Sequence, residues 1–173
     1  MLSAVVEELK NTLVATIQGT DDVLTALRTA VKNQVVGVLK NTSDVVEAAV
    51  VSVQSTGTSV VVAAKESTSA VIKAVGETGG DVLKTGAEAV SGAVKGAAEV
   101  GADVGQVAVS SVEGVVTSLT ELGKDVTEGT KVALVSAVKA ADELGTKAGS
   151  SVRNALMSSA SLPKDLVNSV LGK

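Results

Sequence analysis

A column of aligned valines recurs every eleven residues along this chain. Written in rows of eleven, the stretch from Ala4 to Asn168 keeps its phase throughout. One column runs Val5, Thr16, Leu27, Val38, Ala49, Val60, Val71, Val82, Ala93, Val104, Val115, Val126, Ala137; another reads Asp22, Asn33, Asp44, Ser55, Glu66, Glu77, Glu88, Glu99, Ser110, Glu121. Eleven residues make three α-helical turns, so every such column keeps a fixed angular place on a helix. Taking Leu13, Leu24, Val35 and Val46 as position a, the other apolar columns fall at d, e and h. This hendecad spacing predicts an all-α protein: one long, nearly continuous helix over residues 1–161, packed laterally in an oligomeric bundle, tube or filament. Pro163 breaks it, leaving 162–173 as a short C-terminal segment that turns once more from Asp165 to Leu171. Ser3 is the expected N-cap of the long helix. The rival reading is a helical hairpin turning near Gly79-Gly80, within Glu77-Thr78-Gly79-Gly80-Asp81. The unshifted phase across that point favours continuity, since a turn ordinarily inserts residues that break it.

Composition narrows the chemistry. The chain has 173 residues with no Phe, Tyr, Trp, His or Cys, one Pro and seventeen Gly. Buried aromatic rings dominate most cores, so a chain without them is not expected to close a compact core of its own. A net charge of −4 with both signs interspersed speaks against nucleic acid. Without His or Cys the commonest general bases, thiol nucleophiles and soft metal ligands are missing. The carboxylate pairs Glu7–Glu8, Asp21–Asp22 and Asp142–Glu143 are sequence neighbours and diverge on a helix. The glycine-rich stretches lack the preceding strand and the G-K-[ST] ending of a phosphate loop. We therefore expect no enzyme, no cofactor and no metal site. Residues 1–10 carry Glu7 and Glu8 where a signal peptide would be apolar, which points to a cytoplasmic protein, free or peripheral to a membrane, lipid or granule surface. The longest uncharged run, Ala48 to Ala64, reaches only the short limit for a membrane span.

Lys40, Lys73, Lys84, Lys95 and Lys139 share column f, with column j four residues on. Lys73–Glu77, Lys84–Glu88 and Lys95–Glu99 are thus expected as i,i+4 pairs on a solvated side. Columns c and g are mostly small, including Ala48, Ala70, Gly92 and Gly114 in the first and Ser52, Ala63, Ala74, Gly96 and Ala140 in the second. The low-polarity arc then covers over half the helix, wider than a two-stranded seam needs. It suits a helix with two or more neighbours, or one lying on lipid. Gly76/Gly80, Gly92/Gly96, Gly101/Gly105 and Gly145/Gly149 have the G-x-x-x-G spacing of close helix approach. Gly57, Gly79, Gly101, Gly123 and Gly145 recur at position a every 22 residues.

Each internal glycine costs about 1 kcal/mol against Ala in a helix, so a lone rod is expected to be unstable in water. It must form on copies of itself or on an apolar surface. The expected self-association interface is Gly57, Gly79, Gly101, Gly123 and Gly145 with Val60, Val61, Val71, Ile72, Val82, Leu83, Val94, Val104, Val115, Val116, Leu119, Leu134 and Val138. The glycines are expected to set close contacts and the apolar side chains to supply burial.

Segments such as Val90-Ser91-Gly92-Ala93-Val94-Lys95-Gly96-Ala97 and Thr127-Glu128-Gly129-Thr130-Lys131-Val132 resemble, in period and composition, the amphipathic repeats of synucleins and perilipins. They also resemble bacterial hendecad coiled-coil proteins. The first resemblance implies helices that fold on membranes or lipid droplets; the second implies self-association. The expected function is a non-enzymatic structural protein that assembles through its Val/Ala/Gly face into a homo-oligomer or filament. The alternative is a coat protein on a lipid-droplet, membrane or storage-granule surface.

Overall fold

The computed structural model describes Glu7, Asn11 and residues 23–37, 41–54 and 59–172. Among these, the chain is all helical but not one rod. Eight helices follow in order: α1 (Val23–Gly37), α2 (Thr42–Val53), α3 (Val60–Glu77), α4 (Val82–Glu99), α5 (Val104–Glu121), α6 (Val126–Leu144), α7 (Thr146–Ser158) and α8 (Lys164–Leu171). The single continuous helix over 1–161 is therefore corrected. A turn does lie at Gly79-Gly80, but it is one of a series rather than the apex of one hairpin.

The reason is arithmetical. Helices α3, α4 and α5 each have 18 residues, and each pair is joined by four, so one unit spans two hendecads and the turn leaves the phase untouched. Phase continuity could not distinguish a rod from this series of turns. The local chemistry repeats at the same 22-residue interval. Asp81, Asp103 and Asp125 cap α4, α5 and α6 by accepting from Lys84 N at 3.0 Å, Gln106 N at 3.1 Å and Glu128 N at 2.9 Å. The preceding helices end alike: Gly80 N donates to Val75 O at 3.0 Å, Ala102 N to Ala97 O at 2.8 Å, and Lys124 N to Leu119 O at 2.9 Å. These six-to-one bonds need a left-handed residue just before the donor, and Gly79, Gly101 and Gly123 supply it with φ of 77°, 70° and 65°. Column a thus alternates between turn glycines and the buried Thr68, Val90, Val112 and Leu134.

Each helix packs most closely on the helix two positions along, and next on its sequence neighbours. The odd-numbered helices lie side by side in one layer and the even-numbered ones in another. Within a layer neighbours run parallel in constant register. Ser110 donates to Val61 O, Ser118 reaches Ser69 and Ser136 donates to Ala87 O, all 49 residues apart. Each helix therefore advances five residues along its partner beyond the two-unit repeat. The wide low-polarity arc is used here: an interior helix meets four others of the same chain.

Between the layers lies one core that includes Val46, Val71, Ile72, Val90, Val94, Val112, Leu119 and Leu134, all fully buried. The expectation that an aromatic-free chain does not close a core is corrected. Close approach replaces ring area. Gly92 and Gly96 of α4 sit against the backbone of Ser43 and Glu47 in α2, and Gly114 of α5 against Lys65 O in α3. Small residues in columns c and g let the backbones come together, so Val and Ala fill the remaining space. Pro163 precedes α8, whose Val167 is buried; the short C-terminal helix after the break is present. Ser3 and Gly57 lie outside the described residues.

The run Ala48 to Ala64 is divided between α2 and α3, with Ser59 capping α3 through Val62 N. No helix of the described residues is long and apolar enough to cross a membrane.

Candidate functional site

The structure places most of the expected interface residues inside the chain's own core. Val71, Ile72, Val82, Val94, Val115, Leu119 and Leu134 are buried between the two layers. Val60, Val61, Leu83, Val104 and Val138 are half-buried and packed on that core, and Val116 is half-buried. They are brought together, but by neighbouring helices of one polypeptide. The glycines part company with them. Gly79, Gly101, Gly123 and Gly145 are exposed turn residues, and a Cβ built on any of them meets nothing within 4 Å. They set chain direction and no close helix contact. Of the four G-x-x-x-G pairs, Gly92/Gly96 lies wholly inside a helix at a tight interface, whereas Gly80, Gly101 and Gly145 fall in turns.

Lysines of one helix meet glutamates of the next helix in the same layer. Lys73 Nζ lies 2.5 Å from Glu121, Lys95 Nζ 3.4 Å from Glu143, and Lys65 Nζ 3.4 Å from Glu113, each pair 48 residues apart. Lys84–Glu88 is present as an i,i+4 pair at 3.9 Å, but Lys73 and Lys95 reach across to the neighbouring helix instead of down their own. These bridges are half-exposed, so each adds at most about 1 kcal/mol and serves chiefly to hold register. Asp142 of α6 makes a two-pronged bond with Arg153 of α7, at 2.8 and 2.6 Å, around the one-residue link at Gly145. That guanidinium holds the Asp142 carboxyl below its ordinary range.

Sequence reading missed the serines. Ser110, Ser118 and Ser136 each donate to a helix 49 residues earlier, with Ser110 to Val61 O and Ser136 to Ala87 O both at 2.5 Å. The available signal was Ser110 standing in column j between Glu99 and Glu121. Other buried hydroxyls bond back one turn, as Ser67 does to Ala63 O at 2.7 Å and Ser111 to Val107 O at 2.8 Å. Thr68 Oγ1 alone among the described side-chain atoms is buried without a partner.

The outer faces are polar apart from a few positions. Val62, Val135, Leu144 and Met157 are the large apolar side chains left exposed among the described residues, Val135 the most at 54%. Val135 borders a depression of about 540 Å³ between α6 and α8, also lined by Val138, Val170 and Leu171. A second groove, of about 460 Å³, lies over α3, α5 and α7 between Val61, Val109 and Ala155. Among the described residues no three carboxylates converge as a metal would require.

What this arrangement offers is mechanical. A long apolar stripe is folded onto itself, joined by glycine turns that keep its phase and held shut by small-residue contacts, serine hydroxyls and ion pairs. The chain matches no family model, no curated protein and no solved structure.

Proposed function

We propose that this chain is a non-enzymatic amphipathic-repeat protein whose closed two-layer form opens onto an apolar surface, a lipid or storage-granule interface. One observation carries the reading. The residues buried in the closed form occupy the same hendecad columns on successive helices, and each four-residue turn completes a whole number of hendecads. Straightening the turns converts the core into a single uninterrupted apolar stripe, with Lys and Glu on the other side. The core is built of Val, Ala, Leu and Ile without rings, so an opened helix would lie along a surface by length rather than by large anchors. Charges of both signs on the polar side suit an electrically neutral interface better than an anionic one.

The absence of cysteine allows a direct test. Ser69 Oγ and Ser118 Oγ are 2.8 Å apart on α3 and α5, so S69C/S118C places two thiols where a disulfide fastens the layer shut. Full-length protein is mixed with a triolein emulsion coated in phosphatidylcholine and floated by centrifugation. The wild-type chain and the reduced variant float with the emulsion, while the oxidised variant stays in the aqueous phase. Equal flotation of the oxidised form would show that opening is not required, and a wild-type chain that never floats would end the reading.

Self-association is the second reading, now favoured by a different surface from the one expected. The Val135, Val138, Val170 and Leu171 edge is the apolar patch a second copy would cover without opening. A concentration-dependent sedimentation coefficient that Val135→Lys abolishes supports it.

A further inference from the structure

Three ion pairs within the layers share one spacing, whereas Arg28–Glu66 and Lys32–Glu77 of the α1–α3 seam have others. A lysine meets the glutamate 48 residues later at Lys65–Glu113, Lys73–Glu121 and Lys95–Glu143, across α3–α5 and α4–α6. In the α2–α4 seam the corresponding partner of Glu99 is position 51, and the residue there is Val51. No lysine stands where Lys73 and Lys95 stand one and two units further on. Instead Glu47, one turn before Val51, borders the same surface depression as Glu99, Lys95 and Glu143.

Two carboxylates are thus held across a seam that cannot widen cheaply. Gly92 and Gly96 bring α4 onto the Ser43 and Glu47 backbone. The charged groups acting on Glu47 are Glu99 and Lys95 from α4 and Asp44 from its own helix; α1 and α3, which also pack on α2, contribute none among the described residues. Lys95 is already bridged to Glu143. Partial burial raises the Glu47 carboxyl first of all, and then the neighbouring Glu99 and Asp44 raise it further, against the lowering effect of Lys95.

We propose that the α2–α4 seam is an acid-tightened joint, the place where this structure first loosens as pH rises from the acid range toward neutral. The direction follows from proton linkage. A carboxyl that binds its proton more tightly when folded stabilises the fold below its unfolded value, and that contribution is lost as pH rises through the folded value. Opening here separates α2 from α4, while the α3–α5 and α4–α6 seams with their lysine bridges stay closed. The inference stands apart from the lipid reading, since it concerns only where the fold gives way.

Hydrogen exchange resolved by peptide tests it on the full chain, with protection factors corrected for intrinsic rates between pH 4.5 and 7.5. Protection of α2 is expected to fall with rising pH by several-fold, up to about tenfold for each unit by which Glu47 is displaced, while α5 and α6 keep theirs. Glu47→Gln removes the dependence. Val51→Lys does so independently by restoring the lysine partner of Glu99, and it leaves Glu47 in place. Uniform protection of α2 across the range, or two variants that track the wild type, would overturn the proposal.

Discussion

Gly92 of α4 lies so close to the backbone carbonyl of Ser43 in α2 that a methyl group at position 92 would overlap the oxygen. Gly86 on the same helix shows the contrast, since a Cβ there meets Val115 at 3.5 Å and Ile72 at 3.6 Å, ordinary contact distances. Helix propensity favours Ala over Gly by about 1 kcal/mol at both sites. Gly86→Ala should therefore stabilise the chain by about 0.5–1 kcal/mol. Gly92→Ala should destabilise it by about 1–3 kcal/mol, because backbone atoms must move apart. Urea midpoints of the two variants against wild type check both signs.

Thr68 stands in the core at position a, where the following units carry Val90, Val112 and Leu134, and its hydroxyl is buried without a partner. An unpaired buried hydroxyl costs about 1–3 kcal/mol. Thr68→Val keeps the shape and removes the penalty, so the thermal midpoint should rise, with a gain of about 1 kcal/mol at the midpoint. Thr130→Val is the control: that hydroxyl donates to Val126 O at 2.6 Å, so the same change should not help.

Gly101 carries a φ of 70° with open space around it. Gly101→Ala is strained by backbone conformation alone and should cost about 1 kcal/mol, whereas Gly101→Asn should cost less because Asn tolerates the left-handed region. Equal losses in chemical denaturation would mean that crowding, not φ, sets the penalty.

Asp142 is held below its ordinary range by its bond to Arg153. A carboxyl depressed in the folded state contributes stability above its unfolded value and loses it as pH falls through the folded value. The thermal midpoint of Arg153→Gln should lie below that of wild type at neutral pH, and the two should converge in acid. The Glu47 contribution has the opposite sign, so toward neutral pH R153Q should fall below wild type and E47Q rise above it, both approaching wild type in acid.

The all-α character, the low-polarity arc and the small-residue columns were legible because each depends only on periodicity. Gly92 and Gly96 lie where their spacing indicated, at a close helix approach. Of the turns, only the one at Gly79-Gly80 was legible, as the rival hairpin. Gly79, Gly101 and Gly123 share a column with apolar residues, and four turn residues plus an 18-residue helix equal two hendecads, so the pattern carried no phase slip to reveal them. Asp103 and Asp125 in the small-residue column were the overlooked sign, repeating as N-cap residues the breaker read at Asp81, two positions after each glycine. The expected bridges within single helices failed at Lys73 and Lys95 for a related reason: a lysine four residues from a glutamate has other options once a parallel helix lies alongside, and that neighbour is invisible to local spacing. The apolar side chains expected at an interface are buried or half-buried in the chain's own core and the described glycines expected with them lie in turns, because burial follows from hydrophobicity whereas the identity of the covering partner does not.

The alternation of layers makes parity a heritable property of this chain. Loss or duplication of a single helix-and-turn unit would send every later helix to the opposite layer and swap all downstream neighbours. Loss or gain of units in pairs would return each later helix to its own side with its ladder of serines and ion pairs in step. Length variation in such a chain is thereby quantised in even numbers.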